Sequence, residues 1–281
     1  MLDESQKQQY AQMGFTWPMT VLTPHAAAAY RTRFEEYERA QGGWYELSKG
    51  QKLYLLQTWV AELVSHASVL DAVADVLGPN IMCWGTSLFV KEARSTSFVT
   101  WHQDSTYWGL SSADVVSAWI ALSPATLEAG CMKMVPGGAS RAQIQHKDTL
   151  AAENLLTRGQ EIMMDVDESQ AHFAVLQPGQ MSLHNIRTVH ASEPNLSDDR
   201  RIGLAVRYIK PNVRQQNAPQ DSAWLLRGVD EHNNFIHETP PYADMDAAAV
   251  AEHERILALR QGVLYQGVAG KPAHTELLTK P

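Results

Sequence analysis

Seven short β-forming segments lie between residues 81 and 208 and limit the chain to a mainly β fold. Each is rich in β-branched and aromatic residues, and glycine- or proline-containing turns separate them. The segments cover residues 81–84, 87–90, 98–101, 115–122, 172–176, 180–184 and 202–208. Many short strands after a helical start predict a mainly β fold with bracing helices, a double-stranded β-helix of the jelly-roll or cupin-like kind.

The segments that flank this β-rich region have helical patterns. Thr23 and Pro24 form a helix start, and residues 24–40 continue the helix to Gly42-Gly43. Further helices are predicted over residues 54–65, after an N-cap at Ser68, and over residues 244–261.

We therefore predict a single domain that spans residues 1–281. Residues 1–80 form a helical part, and residues 81–210 form the jelly-roll core. Residues near 140–170 form an insertion, a long segment between strands with some helix. Residues 211–281 form a C-terminal extension with a helix.

Composition narrows the possible partners. The 281 residues are 44% hydrophobic and 19% charged, which allows a sizeable core. A formal net charge of −8 makes nucleic acid an unfavourable partner, so we expect a small-molecule substrate. Cys83 and Cys131 form no CxxC pair, and no window approaches eighteen uninterrupted apolar residues. The sequence predicts a cytoplasmic protein with no membrane segment, and it does not indicate the oligomeric state.

The stretch TWHQDSTYW at residues 100–108 contains a candidate metal site. In a strand, residues two apart face the same side, so His102 and Asp104 are expected to point together. A second histidine from another strand would complete the 2-His-1-carboxylate triad that is typical of non-haem Fe(II) oxygenases. An HxD pair alone is common by chance, so the prediction needs a further signal.

Residues 184–208, HNIRTVHASEPNLSDDRRIGLAVRY, provide that signal. They contain two candidate histidines, His184 and His190, followed by a polar turn and a strand that begins with Arg200-Arg201. We expect a hairpin whose second strand returns beside the first and brings a guanidinium near the metal. A buried arginine needs an anionic partner, and its fork suits a carboxylate.

These motifs resemble the phytanoyl-CoA dioxygenase family of Fe(II)/2-oxoglutarate oxygenases. The resemblance runs from about residue 8 to about residue 227. The matching residues are Trp101-His102-Gln103-Asp104, Tyr107-Trp108, Ala118-Trp119-Ile120-Ala121-Leu122-Ser123-Pro124, Glu128-Ala129-Gly130-Cys131, Val135-Pro136-Gly137, Pro178-Gly179, His190-Ala191-Ser192 and Arg201. Two turns depart from the family pattern: Gly138-Ala139 replaces Ser-His, and Ala129 replaces Asn.

The resemblance implies roles for individual residues. His102, Asp104 and His190 correspond to the iron ligands, and Arg201 to the arginine that binds 2-oxoglutarate. Arg200 is expected to point away from the site. Two weaker assignments are Ser192, as a hydroxyl donor to the same carboxylate, and Trp119, as part of the cosubstrate pocket. His184 is expected to be structural or to support the ligand residues, rather than to bind the metal itself.

Residues that contact the substrate are harder to assign. Lys91 is either a contact for an acidic ligand or a solvated lysine at a strand end. Trp101, Tyr107 and Trp108 are either core residues or an aromatic wall for an apolar or quaternary-ammonium substrate.

The resemblance also implies the reaction. Fe(II), 2-oxoglutarate and O2 would hydroxylate a C–H bond of a small metabolite, such as an amino acid, amine, phosphonate or natural-product intermediate, with succinate and CO2 as co-products. A carboxylate at position 104 argues for hydroxylation, because halogenating relatives have Ala or Gly there. Two alternatives are a metal-dependent cupin-like isomerase or lyase without 2-oxoglutarate, and a non-catalytic jelly-roll binding module.

Overall fold

Strands from the whole length of the chain build two facing sheets. The computed structural model describes residues 1–43, 51–151, 153–156 and 158–264. Its strands are β1 (Phe15–Thr20), β2 (Ile81–Lys91), β3 (Val99–His102), β4 (Val115–Ala121), β5 (Met132–Val135), β6 (His146–Asp148), β7 (Gln160–Ile162), β8 (His172–Ala174), β9 (Gln180–Asn185), β10 (Val189–Ser192), β11 (Arg201–Ile209), β12 (Ser222–Arg227) and β13 (Ile236–His237).

The larger sheet has seven strands in the order β1-β9-β4-β11-β2-β12-β13, and the smaller has four in the order β3-β10-β5-β8. Consecutive strands in each sheet are antiparallel, except for the parallel pair β12 and β13. Strands β6 and β7 form a separate two-stranded ribbon. Two facing sheets with bracing helices confirm the predicted jelly-roll class. The described strands do not close into a barrel.

Helices cover the outer face of the seven-stranded sheet. Five are described: α1 (Glu4–Met13), α2 (Pro24–Ala40), α3 (Thr58–Val64), α4 (Ala67–Leu77) and α5 (Ala247–Leu264). None of the helices in the described ranges is both long and apolar enough to cross a membrane. As predicted, Thr23 caps α2: its Oγ1 accepts from the amide of Ala26 at 3.1 Å, and Pro24 occupies the first turn.

Strand β11 shows why the two faces of the large sheet differ. Its residues Ile202, Leu204, Val206 and Tyr208 pack into the core beneath the helices, together with Val69 and Val73 of α4. Burying each such aliphatic side chain contributes about 1.5–3 kcal/mol. The alternate residues Arg201, Ala205 and Arg207 face the smaller sheet and line a cavity. The strand therefore holds the core on one face and leaves polar groups available on the other.

Several local predictions were wrong. The Ser68 N-cap does not form, since α4 begins at Ala67 after His66, which makes no side-chain cap bond. The helix predicted over residues 54–65 divides into a 3-10 turn at Leu53–Leu55 and α3. The segments at 81–84 and 87–90 are one strand, β2.

The sheet also extends past the boundaries expected at residues 80 and 210. Strand β1 lies within the part that was expected to be helical, and β12 and β13 belong to the C-terminal extension. The described part of the insertion near residues 140–170 contains the β6–β7 ribbon and a 3-10 turn at Glu168–Gln170, and no α-helix. Residues 265–281 of the extension lie outside the described residues.

Candidate metal centre

Three side chains meet at the edge of the smaller sheet. His190 on β10 is the register partner of His102, the last residue of β3, and Asp104 opens the 3-10 turn Asp104–Tyr107 that follows. One donor atom from each of the three lies within 4.8 Å of the others. Asp104 Oδ1 is 3.5 Å from His102 Nε2 and 4.0 Å from His190 Nε2. The predicted triad residues therefore lie together.

The backbone between the two ligands explains their convergence. The ladder of β3 ends at His102, but Gln103 is still extended, with φ of −111° and ψ of 139°, so His102 and Asp104 point to the same side as predicted. Ser117 on β4 also donates its hydroxyl to Asp104 Oδ2 at 3.1 Å. The carboxylate is thus held between the two sheets.

Backbone contacts set the tautomers of both histidines. Nδ1 of His102 lies 2.9 Å from the carbonyl oxygen of Thr100, and Nδ1 of His190 lies 3.0 Å from that of Thr188. A carbonyl only accepts, so each Nδ1 carries a proton, and each Nε2 is directed toward Asp104. Imidazoles that bind a metal through Nε2 are commonly held in this way by a carbonyl at Nδ1.

The charges also suit a divalent cation. Burial disfavours the ionised carboxyl of Asp104, but His102 and His184 outweigh burial and hold the pKa of Asp104 well below its usual value. Burial, with His102 adding to it, lowers the pKa of His190 well below the usual range. Two imidazoles and one carboxylate fit the facial triad of a non-haem iron site.

His184 also faces this cluster. It is 3% exposed, and its Nε2 lies 3.6 Å from Asp104 Oδ2. Neither of its ring nitrogens has a hydrogen-bond partner among the described residues. The expectation that His184 is structural or supports the ligand residues, rather than binding the metal itself, stays untested.

The cluster lies in a cavity between the two sheets. Its lining residues are Phe89, Val99, His102, Asp104, Ser117, Trp119, Met132, His184, His190, Ala191, Ser192, Arg201, Ala205 and Arg207. The triad, Arg201, Ser192 and Trp119 therefore share one cavity, although the sequence separates them by up to 99 residues, from His102 to Arg201.

Arg201 is 2% exposed and begins β11 in the large sheet. The predicted hairpin is wrong: β10 and β11 belong to different sheets, and Arg201 meets the cavity because the two sheets face each other. Its Nη1 donates to the carbonyl oxygen of Gly130 at 2.7 Å. Its guanidinium carbon lies 5.3 Å from the ring centroid of Trp119.

Lys91 and Ser192 lie beside this arginine. Lys91 is the register partner of Arg201 across β2 and β11, and it is fully buried, which excludes the solvated-lysine interpretation. Its Nζ donates to Ser192 Oγ at 2.8 Å and also to the carbonyl oxygen of Glu193. In contrast, Arg200 points away, as expected, and pairs with Glu38 and Glu92.

The three aromatic residues suggested as substrate contacts lie outside the cavity lining. Trp101 donates to Glu168 at 3.1 Å, on the opposite side of β3 from His102, and Tyr107 donates to Asp148 at 2.8 Å. Trp108 packs against Trp84, with ring centroids 5.1 Å apart. Trp108 contacts one residue of the cavity lining, Arg207. The guanidinium carbon of Arg207 lies 5.4 Å from the ring centroid of Trp108.

Sequence reasoning missed several lining residues, of which Arg207 is the clearest. Alternation along β11 puts residues 201, 203, 205 and 207 on one face, so Arg207 was readable once Arg201 was assigned. Phe89, Ser117 and Met132 had no comparable signal, because their positions depend on how the strands are paired.

His146, on the β6–β7 ribbon, supports the turn that carries Asp104. The amide of Gln103 donates to its Nε2 at 2.9 Å, and its Nδ1 donates to the carbonyl oxygen of Ile144 at 2.8 Å. Thr106 Oγ1 lies 2.8 Å from the same Nδ1. Burial lowers the pKa of His146 to about 4, which keeps the ring neutral and able to accept from Gln103.

The family of the chain follows from its sequence as well as from this geometry. A sequence model described as phytanoyl-CoA dioxygenase (PhyH) matches residues 10–203, more than half of the chain. The chain belongs to the phytanoyl-CoA dioxygenase family. Membership confirms the predicted enzyme class, the non-haem iron oxygenases that use 2-oxoglutarate, with Fe(II), 2-oxoglutarate and O2 as cofactor and cosubstrates.

Individual relatives agree with membership of the phytanoyl-CoA dioxygenase family. The "Probable alpha-ketoglutarate-dependent hypophosphite dioxygenase" of Stutzerimonas stutzeri is 24% identical over 178 residues, which cover 63% of this chain and 58% of that protein. The chain therefore spans little more than half the length of this curated relative.

Solved structures of similar proteins match a larger part of this chain than the hypophosphite dioxygenase does. The structure titled "non-heme monooxygenase; ThoJ apo" is 32% identical, covers 92% of this chain and 97% of its own, and superposes with a TM-score of 0.84. The structure titled "CytC3 with Fe(II) and alpha-ketoglutarate" is 21% identical, covers 87% of this chain and 96% of its own, and has a TM-score of 0.64. The similarity to CytC3 supports the fold.

Proposed function

We propose that this protein is an Fe(II)/2-oxoglutarate-dependent dioxygenase that hydroxylates an unactivated C–H bond of a small metabolite, with succinate and CO2 as co-products. One observation carries the proposal: a single cavity contains both the His-Asp-His cluster and the buried guanidinium of Arg201. A metal site and a carboxylate-binding arginine in one cavity are what this reaction requires.

His102, Asp104 and His190 would hold the iron. Three protein ligands leave positions for the cosubstrate and for O2. The bound iron, with 2-oxoglutarate and O2, supplies the oxidising chemistry, while the protein sets orientation and excludes water. Asp104 is the third ligand, so hydroxylation is favoured over halogenation.

Arg201 would bind the distal carboxylate of 2-oxoglutarate. Lys91 lies opposite Arg201 in the strand register, and its ammonium holds the Ser192 hydroxyl beside the same end of the cavity. A guanidinium, an ammonium and a hydroxyl at one buried end suit an anion. Lys91 is thus proposed as a contact of the cosubstrate rather than of the substrate.

Trp119 would form the wall along the cosubstrate. A Cβ on Gly203 would lie 1.9 Å from Cζ2 of Trp119, so the glycine allows the indole to lie flat on the sheet. This keeps the cavity open between the arginine and the metal cluster.

The proposal is tested by anaerobic titration with Fe(II) and 2-oxoglutarate, following the visible charge-transfer band of the chelate. We expect a band in the parent protein and succinate release once a substrate is supplied with O2. Iron binding without a band would favour a cupin-like isomerase or lyase that does not use 2-oxoglutarate. The absence of iron binding would favour a non-catalytic binding module.

A further inference from the structure

A second arginine lines the cavity, and the chemistry proposed above does not use it. Arg207 is on the same face of β11 as Arg201 and Ala205, and its register partner on β4 is Ser117, the residue that donates to Asp104. The side chain therefore enters the cavity near the metal cluster.

Neighbouring side chains hold the guanidinium of Arg207 at the cavity wall. Its Nη1 donates to Ser87 Oγ on β2 at 2.7 Å. Its guanidinium carbon lies 6.0 Å from the ring centroid of Phe89 and 5.4 Å from that of Trp108. Aromatic rings at these distances favour the cation and restrict its orientation. Arg207 thus presents a positioned planar donor.

Arg207 and Arg201 cannot both bind the distal carboxylate of 2-oxoglutarate. They are six residues apart on one extended strand, which separates their Cα atoms by about 20 Å. Arg201 is at the end of the cavity shared with Lys91 and Ser192. Arg207 is on the rung of the sheet that carries Ser117 and His184.

The cationic groups at the cavity stand in two places. Lys91 and Arg201 are at the end proposed for 2-oxoglutarate. Arg207 is a further cationic group of the cavity lining, on the side of Ser117 and His184. This second position suits an anionic group of the substrate.

We propose that the substrate carries a carboxylate on an apolar body and that Arg207 binds this carboxylate. The planar fork of Arg207 matches a carboxylate, and Phe89 and Met132 provide an apolar wall for the rest of the molecule. The same positive charge disfavours the quaternary-ammonium substrate that the aromatic residues had suggested. This inference rests on the proposed function, because it assigns 2-oxoglutarate to Arg201.

The test compares acids with their amides, which share a body and differ in charge. The probes are phenylacetate, 3-phenylpropionate and 4-phenylbutyrate, each paired with its primary amide. Binding to the full chain loaded anaerobically with Fe(II) and 2-oxoglutarate is followed by the change in the visible band. Calorimetry on the metal-free protein gives a second readout. The variants are Arg207→Gln, Arg207→Lys, Arg201→Gln and, as an exposed-arginine control, Arg214→Gln.

We expect the parent and Arg214→Gln to bind at least one acid roughly tenfold more tightly than its amide, which is the scale of a charge-assisted hydrogen bond. Arg207→Gln should lose this preference while its half-saturation by 2-oxoglutarate stays within about twofold of the parent. Arg207→Lys should retain part of the preference, because it keeps the charge and loses the fork.

Two results would overturn the inference. One is the absence of any acid preference in all three pairs, whether both members bind or neither does. The other is a loss of 2-oxoglutarate binding in Arg207→Gln as large as in Arg201→Gln, which would assign Arg207 to the cosubstrate. A parent protein that forms no band would instead defeat the proposed function.

Discussion

His190 lies directly opposite His102 in the antiparallel register of β10 and β3, with imidazole centroids 4.1 Å apart. Backbone pairing, rather than side-chain contact, therefore brings the two rings together. Each ring is further oriented by the carbonyl oxygen two residues before it. The site is built on rigid strands, and this favours a preorganised metal centre.

Replacing His190 with alanine should abolish iron binding under conditions that saturate the parent. Loss of even an outer-shell partner weakens metal binding roughly 10–100-fold, and loss of a ligand should exceed that range. Iron content after equilibrium dialysis measures the effect. His25→Ala, at an exposed position in the first turn of α2, should bind iron like the parent. Stoichiometric iron in His190→Ala would remove His190 from the metal site.

Arg201→Gln should raise the 2-oxoglutarate concentration at half-saturation roughly tenfold or more, because it removes a charge-assisted contact to a carboxylate. The matched control is Arg200→Gln, which removes the adjacent arginine. Arg200 pairs with Glu38 and Glu92 outside the cavity, so its variant should titrate like the parent. Equal titrations of the two variants would contradict the assignment of Arg201.

Gly130→Ala should destabilise the fold and weaken 2-oxoglutarate binding together. Gly130 has φ of +63°, and an added Cβ would lie 2.1 Å from the carbonyl oxygen of Glu193. Its own carbonyl oxygen holds Arg201. Strain and the clash together should cost about 2–4 kcal/mol of unfolding free energy.

Gly42→Ala is the matched control for the variant at Gly130. Gly42 has φ of +72° and nothing within 4 Å of an added Cβ, so this variant carries the backbone strain without the clash. We expect it to lose about 1–2 kcal/mol. Denaturant unfolding and the titration of the visible band measure both effects. Equal stability losses in the two variants would show that the contact with Glu193 has no role.

Lowering the pH should destabilise the metal-free protein in part through His146. Its pKa is about 4 in the folded state because of burial, against 6.5 for the usual value. Between these values the unfolded chain binds more protons, so stability is present above about pH 6.5 and falls as the pH falls toward 4. Since the ring is partly exposed, we expect a loss on the order of 1–2 kcal/mol.

Denaturant unfolding at pH 7.5 and pH 5.0 measures this loss. His146→Gln retains an acceptor for the amide of Gln103 and has no titrating ring, so its stability should fall less than that of the parent over the same range. If both proteins lost the same unfolding free energy between the two pH values, the acid sensitivity would come from groups other than His146. Asp104 is the first candidate, because its pKa is also lowered in the folded protein.

Some elements of the fold could be predicted from the sequence, and others could not. The helix over residues 24–40 was predicted to the residue, because a hydroxyl cap, a proline and a double glycine are local signals. Strand β1 was missed, since it stands between two helices and its partner β9 lies far along the chain. The convergence of His102 and Asp104 was predicted from strand alternation, which the extended backbone at Gln103 preserves, whereas the contact of Asp104 with Ser117 on β4 had no local signal.

The class of the fold, the family and the residue types of the candidate metal centre can be predicted from the sequence. They depend on local propensity, on strand periodicity and on short motifs, all of which are visible in the order of residues along the chain. That Arg201 reaches the cavity from the facing sheet, and that Lys91 is buried beside it, depends on the tertiary structure. Which strands face each other is set by long-range pairing and packing, and no local pattern in the chain encodes that pairing.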